Sequence, residues 1–278
     1  SADNKAAQEY LYRIQPVILY LAVVYEKRDN MQAGYFSYFI SRYAVKRRQP
    51  IDSLQNILLN YIRKDNLYCR INALDALYRL GSVEHIVDAI RLQDDGKIYL
   101  HEKILTEGLL SYTGEHTKLI DALLAELSAF TEHTRLAILN YIRFQTGDYK
   151  EEMLAIMTDE TQPKELRLSA IRYFGRYFYR PAEKVLLSFA KDKNPTRWEY
   201  TNVAVASLGK YDGDEVIQVL KEALHSDNWY VRYSAAETLE AHHMEYSDLL
   251  DVITGSDRYA REMMTWHLES HKLRKMEV

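Results

Sequence analysis

Asp227-Asn228-Trp229-Tyr230-Val231-Arg232-Tyr233-Ser234-Ala235-Ala236-Glu237-Thr238-Leu239 reads as a polar turn opening a helix, with Val231, Ala235 and Leu239 on one face. Far upstream, Asp65-Asn66-Leu67-Tyr68-Cys69-Arg70-Ile71-Asn72-Ala73-Leu74-Asp75-Ala76-Leu77 carries the same pattern, Asp-Asn-x-Tyr-x-Arg-x-x-Ala-x-x-x-Leu. Repetition of that much pattern marks an internal repeat. A repeat decides the architecture before any single element does.

Further copies follow on either side. Arg167-Leu168-Ser169-Ala170 begins another Arg-x-x-Ala-x-x-x-apolar run, ending at Phe174. Asp257-Arg258-Tyr259-Ala260-Arg261 begins the last, with Met264 and Leu268 in the Ala and Leu places. The arginine position falls at Arg70, Lys103, Arg135, Arg167, Thr201, Arg232 and Arg261, in steps of 33, 32, 32, 34, 31 and 29 residues. Thr201 is a weak copy, and Arg197 one turn earlier leaves the register open there. Asp29-Asn30 opens a poor copy, with Gly34, Ser37 and Ser41 where Arg, Ala and Leu would stand.

Short apolar helices lie between the copies, such as the one marked by Leu54, Leu58, Tyr61 and Ile62. Gly81 and Pro50 read as helix stops, and Pro181 and Asn194-Pro195 as helix starts. No alternation of period two and no Asn-Gly hairpin interrupts the pattern, so the chain reads as all-α. It holds about eight units of two short helices each.

The ankyrin signature Thr-Pro-Leu-His and the tetratricopeptide signature Trp-x-x-Leu-Gly are both absent. Asp-x-x-x-Val-Arg-x-x-Ala-x-x-x-Leu instead resembles the HEAT family, and the short period resembles its compact, bilin-lyase-type variety. The resemblance covers residues 29–270. It implies an α-α superhelix, a HEAT-like solenoid in one continuous domain, with residues 1–28 as an N-terminal helix or cap and 271–278 as a tail. It also implies that Asp65, Arg70, Ala73, Leu77, Asp227, Arg232, Ala235 and Leu239 are stacking residues. Their Asp and Arg would bond from one unit to the next. No unit of this kind buries its apolar face alone, so stability comes from stacking.

Composition narrows the function. The 278 residues carry 36 Lys and Arg against 40 Asp and Glu, a net charge of −4. A dedicated nucleic-acid binder would show a strong positive excess. The one cysteine, Cys69, cannot form an intrachain disulfide, and it takes the place of Val231 as a small buried hydrophobe. That points to a reducing, cytoplasmic setting. The longest uncharged apolar run, residues 17–25, is too short to span a bilayer. The chain opens Ser1-Ala2-Asp3-Asn4 without Met, which leaves room for an upstream anchor and membrane association, with Lys46-Arg47-Arg48 near the membrane surface.

Chemistry-bearing motifs are sparse. His267 and His271 share a helix face, but the sequence between them is not that of the zinc motif, and a solvated terminal helix is the expectation. No phosphate loop, nucleophile elbow or Cys-x-x-Cys pair occurs. The reading is of a non-catalytic protein without metal or cofactor.

The densest local feature is Arg172-Tyr173-Phe174-Gly175-Arg176-Tyr177-Phe178-Tyr179-Arg180. Spaced by four, Arg172, Arg176 and Arg180 would form a stripe if the helix continues, with Arg143 one unit earlier beside them. Together with Tyr173 and Tyr177 they make a candidate site for an acidic or phosphorylated peptide. By resemblance to HEAT proteins, the second helix of each unit lines the concave surface. Tyr68, Tyr230 and Tyr259, each two residues before the arginine position, would then either form a row along that surface or pack between units, with His101, His133 and Glu199 in equivalent places. Trp198 and Trp229 are equivalent to one another and are read as packing residues.

The resulting expectation is a scaffold that binds a protein or peptide, with no nucleic-acid partner. Two other readings stand beside it. One is a membrane-proximal scaffold of a longer anchored protein. The other is a HEAT-like enzyme of the DNA glycosylase or bilin-lyase type; the glycosylase form would need a positive groove with a carboxylate near Trp198 or Trp229.

Overall fold

Asparagine, rather than the aspartate before it, starts the signature helices. Asn66 Oδ1 accepts the Cys69 N–H at 2.9 Å, and Asn228 Oδ1 accepts the Tyr230 and Val231 N–H groups at 2.9 and 3.3 Å. Each satisfies backbone donors that the first helical turn leaves without a partner. Asp65 and Asp227 are exposed one residue earlier, and neither pairs with its motif arginine among the described residues.

The arginines reach both ways: Arg70 Nη1 donates to Gln93 Oε1 in the next unit at 3.4 Å, as the family resemblance implies, and further bonds stay within the unit. Arg70 Nε donates to Lys64 O at 2.8 Å, Arg167 Nε to Met157 O at 3.2 Å, and an Arg261 guanidinium nitrogen to Gly255 O at 2.5 Å. All three acceptors are carbonyls at or just past the end of the preceding helix in the same unit. Such carbonyls have no intrahelical partner. Thr201 settles the open register: it is buried and its hydroxyl donates to Asp192 O at 3.0 Å, whereas Arg197 lies in the turn before the helix. A hydroxyl there binds the carbonyl that an arginine binds elsewhere.

The computed structural model describes residues 6, 9–10, 12–43, 53–96 and 98–276. Lys46-Arg47-Arg48, Pro50 and Ile51 lie outside the described residues. Among those described there are sixteen α-helices and no strand, as the period predicts. The chain divides into two compact units, Ser1–Gln145 and Thr146–Val278.

The first unit holds α1 (Gln15–Glu26), α2 (Asn30–Tyr43), α3 (Ser53–Ile62), α4 (Leu67–Leu80), α5 (Val83–Asp94), α6 (Glu102–Leu110), α7 (His116–Ala125) and α8 (Glu132–Gln145). The second holds α9 (Lys150–Thr158), α10 (Lys164–Phe174), α11 (Arg180–Ala190), α12 (Trp198–Ser207), α13 (Asp214–Ala223), α14 (Trp229–Ala241), α15 (Leu250–Ile253) and α16 (Arg258–Met276). The even-numbered helices from α4 to α16 carry the arginine position. The last helix runs to Met276, through most of the stretch read from sequence as a tail.

Within each unit the second helices stack on one another. Ala73, Ala170, Ala204 and Ala235 are fully buried there, as are Leu77 and Leu239. Small residues allow the close approach and the leucines fill the space between helices. The poor copy in α2 follows the same logic more strongly. Gly34 and Ser37 let α2 lie against α4, where the Ser37 hydroxyl meets the buried Cys69 thiol at 4.0 Å.

Buried hydroxyls join neighbouring second helices. In the first unit Thr106 Oγ1 donates from α6 to Ala137 O of α8 at 3.1 Å. In the second, Ser207 Oγ donates from α12 to Ile171 O of α10 at 3.1 Å, and Thr238 Oγ1 from α14 to Val205 O of α12 at 3.3 Å. Gly175 allows the Ser207 contact, because a Cβ there would come within 2.8 Å of the serine oxygen. Gly81 ends α4 as expected. Its backbone is extended rather than left-handed, and the glycine is required because a Cβ would come within 2.8 Å of Leu77 O.

The high tyrosine content has a structural use. Tyr61, Tyr78, Tyr173 and Tyr211 are almost wholly buried. Tyr61 donates to Ala22 O at 2.9 Å, Tyr173 accepts the Tyr149 N–H at 3.1 Å, and Tyr211 donates to Tyr179 O at 3.4 Å. Burial pushes all four phenols up, Tyr211 to about 12.

Two predictions follow from these bonds. Asn228→Ala should lower the unfolding free energy of the second unit by about 1 kcal/mol in urea. Asp227→Ala, which removes no cap, should change it by less than about 0.5 kcal/mol. The buried phenols give an alkaline limit. A folded pKa above the unfolded one means stability that is complete below about pH 10 and lost as pH rises, by at most about 1.4 kcal/mol per pH unit per tyrosine. Urea midpoints should therefore fall between about pH 10 and 12, and less steeply in Tyr211→Phe.

Candidate functional site

Helix α10 ends at Phe174, so the segment 172–180 does not form the arginine stripe. Gly175 caps the helix, residues 176–179 form a turn, and Arg180 starts α11. Arg172 and Arg176 are exposed, whereas Arg180 pairs with Glu183 at 2.9 Å. Tyr173 is not a surface residue at all. Its ring is fully buried and its hydroxyl holds the Tyr149 N–H. Tyr177 is half-buried with its ring 5.0 Å from that of Tyr173, and the Arg176 guanidinium lies 5.7 Å from the Tyr177 ring. Arg143 belongs to the first unit, where its guanidinium lies 4.6 Å from the Phe144 ring.

The places two residues before the arginine position are filled by side chains with different tasks. Tyr68, Tyr230 and Tyr259 are all well exposed. His101 accepts the Lys103 N–H at 3.2 Å and caps its own helix. His133 bonds to Leu100 O and packs 4.4 Å from Tyr99. Glu199 pairs with Lys164 at 2.5 Å. Cys69 is wholly buried, and burial pushes its thiol up, away from the reactive thiolate.

In the second unit the aromatic side chains connect. The ring of Trp198 on α12 lies 5.4 Å from Tyr230 on α14 at an interplanar angle of 22°. Tyr230 meets Trp229 edge-on at 5.3 Å, and Trp229 stacks on Tyr233 one turn later at 5.1 Å. Tyr233 in turn reaches Trp266 and His267 on α16, at 6.5 and 5.0 Å. The result is a continuous ribbon of rings across three successive second helices. Trp229, Tyr230 and Trp266 remain 53%, 57% and 55% exposed. Tyr259 is also exposed, with the Arg232 guanidinium 5.1 Å from its ring.

Trp229 therefore does not pack between units, as its repeat position suggested, and only Trp198 is half-buried. Sequence reading missed Trp266 altogether. In the repeat register, where Arg261 follows Arg232 by 29 residues, Trp266 stands at the place of Glu237, so no recurring aromatic marked it.

At the α16 end, Tyr233, Glu237, Glu240, Trp266, His267 and Ser270 line a hollow of about 460 Å³. His267 is only 3% exposed, not solvated as expected, and its Nδ1 lies 3.0 Å from Glu240 Oε2. A second hollow of similar size lies at the turns before α12 and α14, where Lys191, Asp192, Trp198, His225 and Asp227 meet. Among the described residues no group of three or more His, Cys, Asp or Glu is placed to hold a metal ion.

The burial pattern separates support from surface. Tyr173→Ala should cost the second unit about 3–5 kcal/mol by urea denaturation, because it empties a core site. Trp229→Ala should cost less than about 1 kcal/mol.

Comparison with known proteins agrees with this architecture. Residues 150–240 match the family model of HEAT repeats. No curated protein matches the chain. The matched segment runs from α9 into α14 and includes Trp198, Trp229, Tyr230 and Tyr233. The run of consecutive helical pairs outside the matched segment is consistent with a HEAT-like repeat architecture.

Proposed function

We propose that the protein is a scaffold that binds another protein or a peptide, with the aromatic ribbon on α12, α14 and α16 as its contact surface. The observation that carries this reading is the exposure of Trp229, Tyr230 and Trp266 within a stacked set of rings. Exposed aromatics held by their neighbours bring large apolar area at low entropic cost, which is the character of binding hot spots. HEAT repeats, matched over residues 150–240, are a protein-interaction scaffold type, in keeping with the same reading.

The ribbon favours a protein over a nucleic acid. Glu237 and Glu240 stand at its α16 end and would repel phosphates. An acidic partner would meet Arg172 and Arg176, which are exposed at the α10–α11 turn. Membrane attachment has one supporting feature: Val17, Tyr20 and Val23 on α1 are exposed. Among the described residues no helix is long and apolar enough to cross a membrane.

The test is affinity capture followed by titration of the purified partner against two variants. Trp229→Ala/Trp266→Ala should weaken binding by at least about 30-fold, the effect of a hot-spot pair. Arg172→Glu/Arg176→Glu should leave it within about 3-fold. Equal affinity of the aromatic variant and the parent would sink the assignment of this surface. A loss confined to the arginine variant would move the site to the α10–α11 turn.

A further inference from the structure

The hollow at the end of the ribbon has a chemistry of its own. Its walls are two rings, Tyr233 and Trp266, and two carboxylates, Glu237 and Glu240. Between them lies a buried imidazole. His267 Nδ1 is 3.0 Å from Glu240 Oε2, so the carboxylate holds the imidazole proton on Nδ1. In the neutral ring the other nitrogen, Nε2, is a lone-pair acceptor. It is buried and has no hydrogen-bond partner among the described residues.

We propose that this hollow takes the cationic end of an arginine or lysine side chain from a bound basic peptide. This rests on the binding-scaffold reading and deepens it. Two features select that ligand. Glu237 and Glu240 favour a positive charge and exclude a phosphate or carboxylate. The faces of Tyr233 and Trp266 attract a cation and cover an aliphatic stem. A volume of about 460 Å³ admits one long side chain. The rest of the peptide would run over Trp229 and Tyr230, which continue from Tyr233 away from the hollow.

A random dodecapeptide library displayed on phage, panned on the whole chain, tests this. Enriched peptides should share one fixed Arg or Lys. With the best peptide synthesised, replacing that residue by Ala should weaken binding at least about 10-fold to the parent chain. On Glu237→Gln/Glu240→Gln the same replacement should matter less than about 2-fold, because coupled groups lose their effect together. Glutamine at 240 still offers an oxygen to His267 Nδ1–H, so the variant keeps the buried bond, and a far-UV melt checks the fold. Enrichment of peptides without a fixed cation, or an equal loss on both chains, overturns the proposal. Where such peptides still lose binding to Trp229→Ala, the ribbon reading stands and only the cation pocket falls. If no peptide prefers the parent over Trp229→Ala, both fall.

Discussion

The close stacking of one second helix on the next is the constraint on which everything else depends. A pair of short helices has too little apolar surface to fold alone, and it gains its core only from neighbours. The contact requires a small residue facing the adjacent helix. Ala73, Ala170, Ala204 and Ala235 supply it, and Gly34 and Ser37 supply it between α2 and α4. Once backbones are that close, buried polar groups must find partners across the gap. Thr106, Ser207 and Thr238 do so by donating to carbonyls of the neighbouring helix.

In three units the signature arginine adds a local bond. The guanidinium of Arg70, Arg167 and Arg261 returns to a carbonyl closing the preceding helix, so the two helices of those pairs are joined through a polar bond as well as through apolar packing. Thr201 shows that the requirement is for a donor and not for a charge. Support of this kind fixes the outward places on the second helices, and a surface of large side chains can then stay ordered without being buried. Trp229, Tyr230 and Trp266 hold their stacked geometry while half or more of each remains open to solvent. Rigidity in the layer below is what makes an exposed aromatic ribbon suited to recognition.

Much of the fold was legible in the sequence because its determinants are local and periodic. The Ala and Leu places, the Asn-led helix starts and the stop at Gly81 all stand where the pattern puts them. The candidate site was legible only in part. Tyr68, Tyr230 and Tyr259 share one repeat position and all three are exposed, a choice the repeat position left open, whereas Tyr173 faces the core. Charge spacing alone suggested a stripe at Arg172, Arg176 and Arg180, but Gly175 ends the helix between the first and second of them.

The sequence by itself determined a helical repeat, its period and the small and apolar places that face the neighbouring helix. Those follow from a pattern that recurs because every unit meets the same neighbour. Only the tertiary structure decided which outward side chains meet. Trp198, Tyr230, Trp229, Tyr233 and Trp266 come from three helices, and the pairing of His267 with Glu240 joins residues 27 positions apart. Such contacts depend on the rotation and offset of each helix on the next. Those are set by packing summed over the whole interface, and no local spacing encodes them.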